Sequence, residues 1–365
     1  MKKADCSVFF MLTFDLFTAH RGHFVGTLNR HIVLAKRPDN YPQYDDFELT
    51  ESELKSPTEG EICCKNLYLS LDAGFRNWMN ESSGDAVLPA MPLGQPVMGL
   101  ALSRVIESKH PDYEVGDMLM ARFAWEEYTV CAADDFIIKL PADLDFPHSY
   151  YLGILGDTGM SAYFGMTDIG KPKQGETVLV SAAGGAVGSV AGQIAKIYGA
   201  RTVGISSGAE KCQRLVDELG YDAAVDRKAA HGVEAEIRAV CPEGVDVYFD
   251  NVGGETLQAA IANLNLRGRI PLCGSITTYN AEDPLPGPNN MFELVKKEVT
   301  MQGFMTHTQP DRYSAVREQL QEWIASGQLK NIEYCLEGIE NAGVAFCDLF
   351  AGRNFGKTVV KLSEQ

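Results

Sequence analysis

The chain has 365 residues, 45% of them hydrophobic and 22% charged, and a formal net charge of −17. That length exceeds most single cores, so two domains are expected. The acidic balance disfavours nucleic acid and anionic membranes as partners, because gripping phosphate polymers takes clustered Lys and Arg.

Residues 1–28 fit neither domain. Two lysines precede an apolar run from Val8 to Phe17 that Asp15 interrupts. The run is too short to span a bilayer, and no small-residue cleavage pattern follows it. A disordered extension is expected, with the folded part starting near Asn29. Nine cysteines are scattered without a C-x-x-C pair. Free thiols in a reducing, cytoplasmic setting follow, and no segment supplies a zinc ligand set.

From 29 to about 150 short β-rich pieces alternate with Gly, Pro and Asp turns: "HIVLAKRP", "EGEICCKNLYLSL", "MGLALSRVIES", "MLMARFAWEEYTV", "DFIIKLP". No long helical period interrupts them, so a compact β domain is expected. From about Tyr151 strands and helices alternate through "TVLVSAA", "RTVGISS", "AAVD", "VDVYFDNVGG", "RIPLCGS" and "VTMQGFMT". That pattern predicts a doubly wound parallel sheet over 151–326. β character returns in "IEYCLEGIE" and "GKTVVKL", so 327–365 is expected to rejoin the first domain.

The stretch "SAAGGAVGSVAGQ" alone fits a phosphate-binding turn or a flexible connection. Its setting favours the first. Thr177 to Val180 reads as a buried strand. Val187, Val190, Ala191, Ile194, Ala195 and Tyr198 then recur at helical spacing, predicting one buried face. The glycines thus open the helix of a βαβ unit, where unpaired N–H groups favour an anion. Gly185 leaves room for a pyrophosphate and Gly188 lets the helix lie close on the strand. The first glycine of the dinucleotide fingerprint is Ala182 here.

The second strand runs into "SSGAEK" without the terminal acid that binds ribose hydroxyls in NAD sites. Ser206, Ser207 and Lys211 suit a 2′-phosphate instead, although turn chemistry and a solvated helix lysine give the same letters. Strand ends at "FDNVGG" and "CGSITTYN" bring Asn251 and Tyr279 to the ligand crevice.

Together "VLVSAAGGAVGSVAGQIAK", "FDNVGG", "LCGSITTYN", "MQGF" and "NFGKTVVK" resemble the medium-chain dehydrogenase/reductases. Within them the match is to the zinc-independent group of prostaglandin, leukotriene and curcumin reductases. The resemblance runs from Asn29 onward. It implies an α/β fold, a Rossmann doubly wound parallel sheet plus a GroES-like β-rich domain, with NADP(H) between them. It implies reduction of a carbon–carbon double bond conjugated to a ketone or aldehyde. Gly185, Ala186, Val187 and Gly188 would hold the pyrophosphate, and Ser206 and Lys211 the 2′-phosphate. Asn251, the run Cys273, Gly274, Ser275, Ile276, Thr277, Thr278 and Tyr279, and Phe304, Met305 and Thr306 match cofactor-lining positions. Asn354 matches an asparagine near the nicotinamide end.

Four positions depart from that pattern. Asp226 stands where a tyrosine meets the 2′-phosphate, Gly74 where an aromatic residue is usual, Lys296 where some members have tyrosine, and Asp157 where an apolar residue is common. The segment "LGQPVMGLALS" lacks the His and Glu of zinc-dependent relatives, so no metal is expected. Without a metal, another donor aimed at the enolate oxygen would lower the barrier. Tyr279 is the best candidate; packing under the nicotinamide and the cofactor's own ribose hydroxyl are the alternatives. The expected partners are a small electrophile and a second copy of the chain as a homodimer. A quinone reductase and a non-catalytic NADPH-binding protein are the competing readings.

Overall fold

The computed structural model describes residues 26–363 except 82, 84–87, 134–135, 142–143 and 282–284. The extension expected over 1–28 therefore lies almost wholly outside the described residues. The chain is already in a strand by Leu28.

The N-terminal β pieces form β1 (Leu28–Leu34), β2 (Phe47–Glu53), β3 (Glu61–Ser70), β4 (Leu100–Ser108), β5 (Met118–Ala121), β6 (Tyr128–Ala132) and β7 (Ile137–Lys139). β1 and β2 make a separate antiparallel ladder. β2, the acidic and largely exposed "FELTESE", carries none of the buried alternation that marks the other strands. Its signal in the sequence is correspondingly poor.

The second set comprises β8 (Thr177–Val180), β9 (Arg201–Ser206), β10 (Ala223–Asp226), β11 (Val245–Phe249), β12 (Leu264–Leu272) and β13 (Thr300–Gly303). All pair in parallel, in the order β10-β9-β8-β11-β12-β13. The chain reverses between β8 and β11, which opens a crevice at their carboxyl ends. Seven α-helices accompany these strands among the described residues: α1 (Asp157–Phe164), α2 (Ala186–Ile197), α3 (Ala209–Leu219), α4 (Val233–Val240), α5 (Gly254–Asn263), α6 (Phe292–Lys296) and α7 (Tyr313–Ala325); an eighth, α8 (Ala342–Ala351), packs in the β-rich half. β8 shows why the sheet needs cover on both faces. Val178 and Val180 pack with Val190, Ala191 and Ile194 of α2, while Leu179 packs with Ile237 and Ile261 on the opposite side.

The last strands, β14 (Glu333–Glu337) and β15 (Lys357–Lys361), belong to the first sheet, where β15 runs antiparallel to β3. The two halves also share one apolar cluster. Leu67, Leu102, Met118 and Met120 of the β-rich half lie in it with Met160, Phe164 and Leu320 of the other.

Two details of α2 differ from the expected single face. Residues Gly188 to Ala195 are buried all round, because the helix is enclosed between the sheet and α1. Tyr198 falls past the last helical turn and is 43% exposed, resting edge-on against Trp323.

Candidate cofactor and substrate site

The phosphate turn lies between β8 and α2. Ala182 adopts φ 46°, the left-handed conformation that a glycine would take without strain. Its carbonyl accepts the Gly185 N–H at 2.8 Å. Gly185 caps α2, and the first helical bond runs from Ser189 N–H to the Gly185 carbonyl at 3.0 Å. The amides of Ala186, Val187 and Gly188 are therefore left to the helix mouth, where an anion is favoured. A Cβ on Gly188 would collide with the Ala182 carbonyl and stand 2.8 Å from Ala183 Cα. That is the close helix–strand approach the spacing predicts. The turn is braced from the other half of the molecule. Gly356 N–H donates to Gly184 O at 2.8 Å, Gly185 bridges Gly356, and the Phe355 ring covers Gly184.

Lys211, on the first turn of α3, points back to this brace and donates to the backbone carbonyl of Asn354. Burial pushes its ammonium below the usual lysine range, and Arg214, Arg227 and Lys228 add to the shift. Such a cation cluster, with Ser206 buried at the end of β9, is suited to a dianionic phosphate. Arg214 lies 3.9 Å over the Phe355 ring, which ties the cluster to the brace. The Asp226 carboxylate does not stand free beside these cations. It accepts from the amides of Gly208 at 2.8 Å and Lys228 at 3.0 Å, which hold it below the usual carboxylate range. Those amides offset part of the repulsion that the carboxylate would exert on a neighbouring phosphate. The resemblance implies a place near the nicotinamide end for Asn354, but its backbone carbonyl accepts from Lys211 instead, and its side chain donates to Gly356 O at 3.2 Å.

The crevice floor is built from the ends of β11 and β12. Asn251 donates through its backbone to Ser181 Oγ at 2.9 Å and through its side chain to Ser181 O at 2.7 Å. The 273–279 turn is bonded back onto it: Ile276 N–H donates to Asn251 O at 3.2 Å, and Thr277 Oγ1 to Val252 O at 2.6 Å. Gly253 has φ 72°, and any Cβ there would overlap the Ser275 hydroxyl. Gly274, Ser275 and Thr278 complete the turn. The Tyr279 hydroxyl lies over Gly274 and accepts the Ser275 N–H at 3.2 Å. Burial raises its pKa, so it keeps its proton as a donor. Cys273 is pushed up to about 12, chiefly by burial and then by Asp157 and Asp250.

Beyond β13, Phe304 packs against Phe249 with 6.4 Å between ring centres, Met305 is half exposed, and Thr306 is buried. Thr306 donates to Asp157, the first residue of α1. Asp72 and Lys357 of the β-rich half form a salt bridge nearby. The sequence reading had no task for Ser181 or for the Asp157–Thr306 pair. The departure at Asp157 was the one visible signal.

The cradle fits a phosphorylated dinucleotide: there is a helix mouth with free amides, glycine clearance, and a cation cluster without a ribose-binding acid at the end of β9. Among the described residues no group of three or more His, Cys, Asp or Glu stands close enough to hold a metal.

Fold and site define a two-domain nucleotide-dependent oxidoreductase. The comparisons agree: residues 30–138 match the family model for the N-terminal domain of oxidoreductase, and residues 186–322 the model described as zinc-binding dehydrogenase. The chain belongs to the medium-chain dehydrogenase/reductases, in the zinc-independent group that includes curcumin, alkenal and prostaglandin reductases. It is 38% identical over 340 residues to the NADPH-dependent curcumin reductase of Escherichia coli (strain K12), covering 92% of this chain and 97% of that protein. It is likewise 38% identical over 340 residues to the NADP(+)-dependent 2-alkenal reductase of Nicotiana tabacum, covering 92% and 98%. The crystal structure of CurA in complex with NADPH from Vibrio vulnificus superimposes with a TM-score of 0.85 at 38% identity, covering 92% of this chain and all of that one.

Proposed function

We propose that this chain is an NADPH-dependent reductase of the carbon–carbon double bond in α,β-unsaturated ketones and aldehydes. The observation that carries the reading is the phosphate cradle with Lys211 among Arg214, Arg227 and Lys228, in a chain alike over its whole folded length to reductases of this kind.

Gly185 to Gly188 would hold the pyrophosphate, and Ser206 and Lys211 the 2′-phosphate. Asn251, the 273–279 turn and residues 304–306 would line the rest, with Asn354 bracing the phosphate end. When bound, the reduced nicotinamide supplies the hydride that adds to the β-carbon. Negative charge then grows on the substrate carbonyl oxygen, and a preorganised donor there lowers the barrier. Tyr279 is our candidate for that donor, because its lone pair is already taken by Ser275 N–H while its proton is uncommitted among the described contacts.

The finer expectations join the proposal. A homodimer is supported by the outer edge of β13, which pairs only with β12 among the described strands, and by exposed Phe292 and Val295 on the adjoining α6. Light scattering of the purified protein tests it, and a monomer at micromolar concentration would remove it. The eight described cysteines are all free, which suits a cytoplasmic location. No described helix is long and apolar enough to cross a membrane.

The deciding experiment is turnover of enals, enones and quinones with NADPH and NADH. Deuteride from labelled NADPH is expected at the β-carbon of the saturated ketone or aldehyde. Deuterium at the carbonyl carbon, activity confined to quinones, or binding without turnover would each replace this reading with another.

A further inference from the structure

Asp157 is fixed where the two halves meet. It opens α1 directly after Gly156, where a Cβ would overlap the Tyr151 carbonyl, and Gly159 N–H donates to Gly153 O at 3.1 Å. The backbone on either side therefore has little freedom. Its carboxyl accepts from Thr306, which is itself buried and follows the cofactor-lining Phe304. The groups facing it come from every neighbouring element. Asp72 and Lys357 stand on the β-rich half, Cys273 at the end of β12, His307 beside Thr306, and Tyr313 on α7. The one cation close by on the β-rich side, Lys357, is already paired with Asp72. Arg317 is turned to the Leu155 carbonyl at 3.0 Å. Asp157 thus has a hydroxyl partner and no cation partner among the described residues.

We propose that Asp157 is the acid that delivers the proton to the substrate α-carbon. This inference rests on the double-bond reduction proposed above. With the bound cofactor supplying the hydride to the β-carbon, the π pair of the double bond would move toward the carbonyl and leave an enolate. The enolate α-carbon then bonds the proton as the Asp157 O–H bond breaks, and the C=O bond is restored. The carboxylate left behind takes a proton from water before the next turnover. The surroundings favour this cycle: burial raises the Asp157 pKa, Asp72 raises it further, and Thr306, Lys357 and His307 oppose them without cancelling the shift. A carboxylic acid is a stronger proton donor than water, and burial favours its protonated form.

The test uses an enone bearing an α-methyl group, reduced by the whole protein with NADPH in D2O. The wild type is expected to place solvent deuterium on one face of the α-carbon. Its kcat/KM is expected to fall as pH rises through the Asp157 value. Asp157→Asn should lose facial selectivity, lose that descending limb and turn over about a hundredfold more slowly. NADPH fluorescence titration should show that it still binds cofactor. Thr306→Val removes the hydrogen bond that lowers the Asp157 pKa, so it should move the limb to higher pH. It also serves if Asp157→Asn does not fold. A carbon-13 NMR titration of labelled aspartate in the cofactor-free protein should show the same displacement. Retention of facial selectivity and of the limb in Asp157→Asn, or an unmoved limb in Thr306→Val, overturns the inference. A wild type that reduces no enone refutes the function itself, and that outcome is distinct.

Discussion

The phosphate turn and the polar cluster around Asp157 hold their parts by different means. In the turn the groups open to an anion are backbone amides, and the constraints are conformational: Ala182 at φ 46°, Gly188 with no room for a Cβ, and the helix mouth between them. In the cluster the parts are side chains from distant segments, Thr306 on Asp157 and Lys357 on Asp72, and what places them is tertiary packing. The first arrangement is made of backbone and carries no titrating side chain. The second contains a titrating group and responds to it. On the proposed reading, the first would grip the cofactor and the second would face the reacting atoms.

The contrast breaks most visibly at Gly188. Gly188→Val forces the helix off the strand, so overpacking of at least about 1–3 kcal/mol is expected, with NADPH binding lost. Thermal unfolding and fluorescence titration measure both. Next in size is Tyr279→Phe, which removes one donor and keeps the ring. Turnover should fall about tenfold to a thousandfold if the hydroxyl meets the enolate oxygen, whereas a loss of threefold or less would assign it to packing. Lys211→Ala should weaken NADPH more than NADH by about 1.5–3 kcal/mol, and equal loss for both would show that the ammonium does not read the 2′-phosphate.

A smaller effect separates the two arrangements by pH alone. Because the Asp157 pKa is raised in the folded protein, the native state there binds more protons than the unfolded chain. Stability should therefore decline as pH climbs from the ordinary carboxylate value through the folded one. Melting curves of Asp157→Asn should lack that decline, while Gly188→Ala should keep it. Smallest is Ala182→Gly, which relieves a left-handed alanine but loosens the unfolded chain. A net gain of no more than about 1 kcal/mol is expected, checked by denaturant midpoint.

The same division governs what the sequence reveals. β8 and α2 are legible because burial and helical spacing are local patterns. Gly185, Gly188 and Lys211 follow from them by short-range logic. Tyr198 was misplaced because the helix ends one residue earlier and Gly199 turns the chain with φ 81°. β2 escaped because an exposed acidic strand has no hydrophobic alternation to detect. Asp157 was visible only as an odd letter. Its partner Thr306 lies 149 positions away, and the Lys357–Asp72 pair is separated by 285, distances over which no spacing rule operates.

The pairing of β15 with β3 also has a consequence in time. Ser70 faces Val359 across that ladder, and β6 covers only the Glu61–Lys65 end of the same edge, so the Tyr68–Ser70 end of β3 stays unpaired until β15 leaves the ribosome. At ordinary synthesis rates the wait is roughly fifteen seconds to a minute. Through that interval the nucleotide-binding half can complete its own sheet, whereas the β-rich half carries an exposed strand prone to wrong pairing. The first-made half is thus the last to complete its sheet.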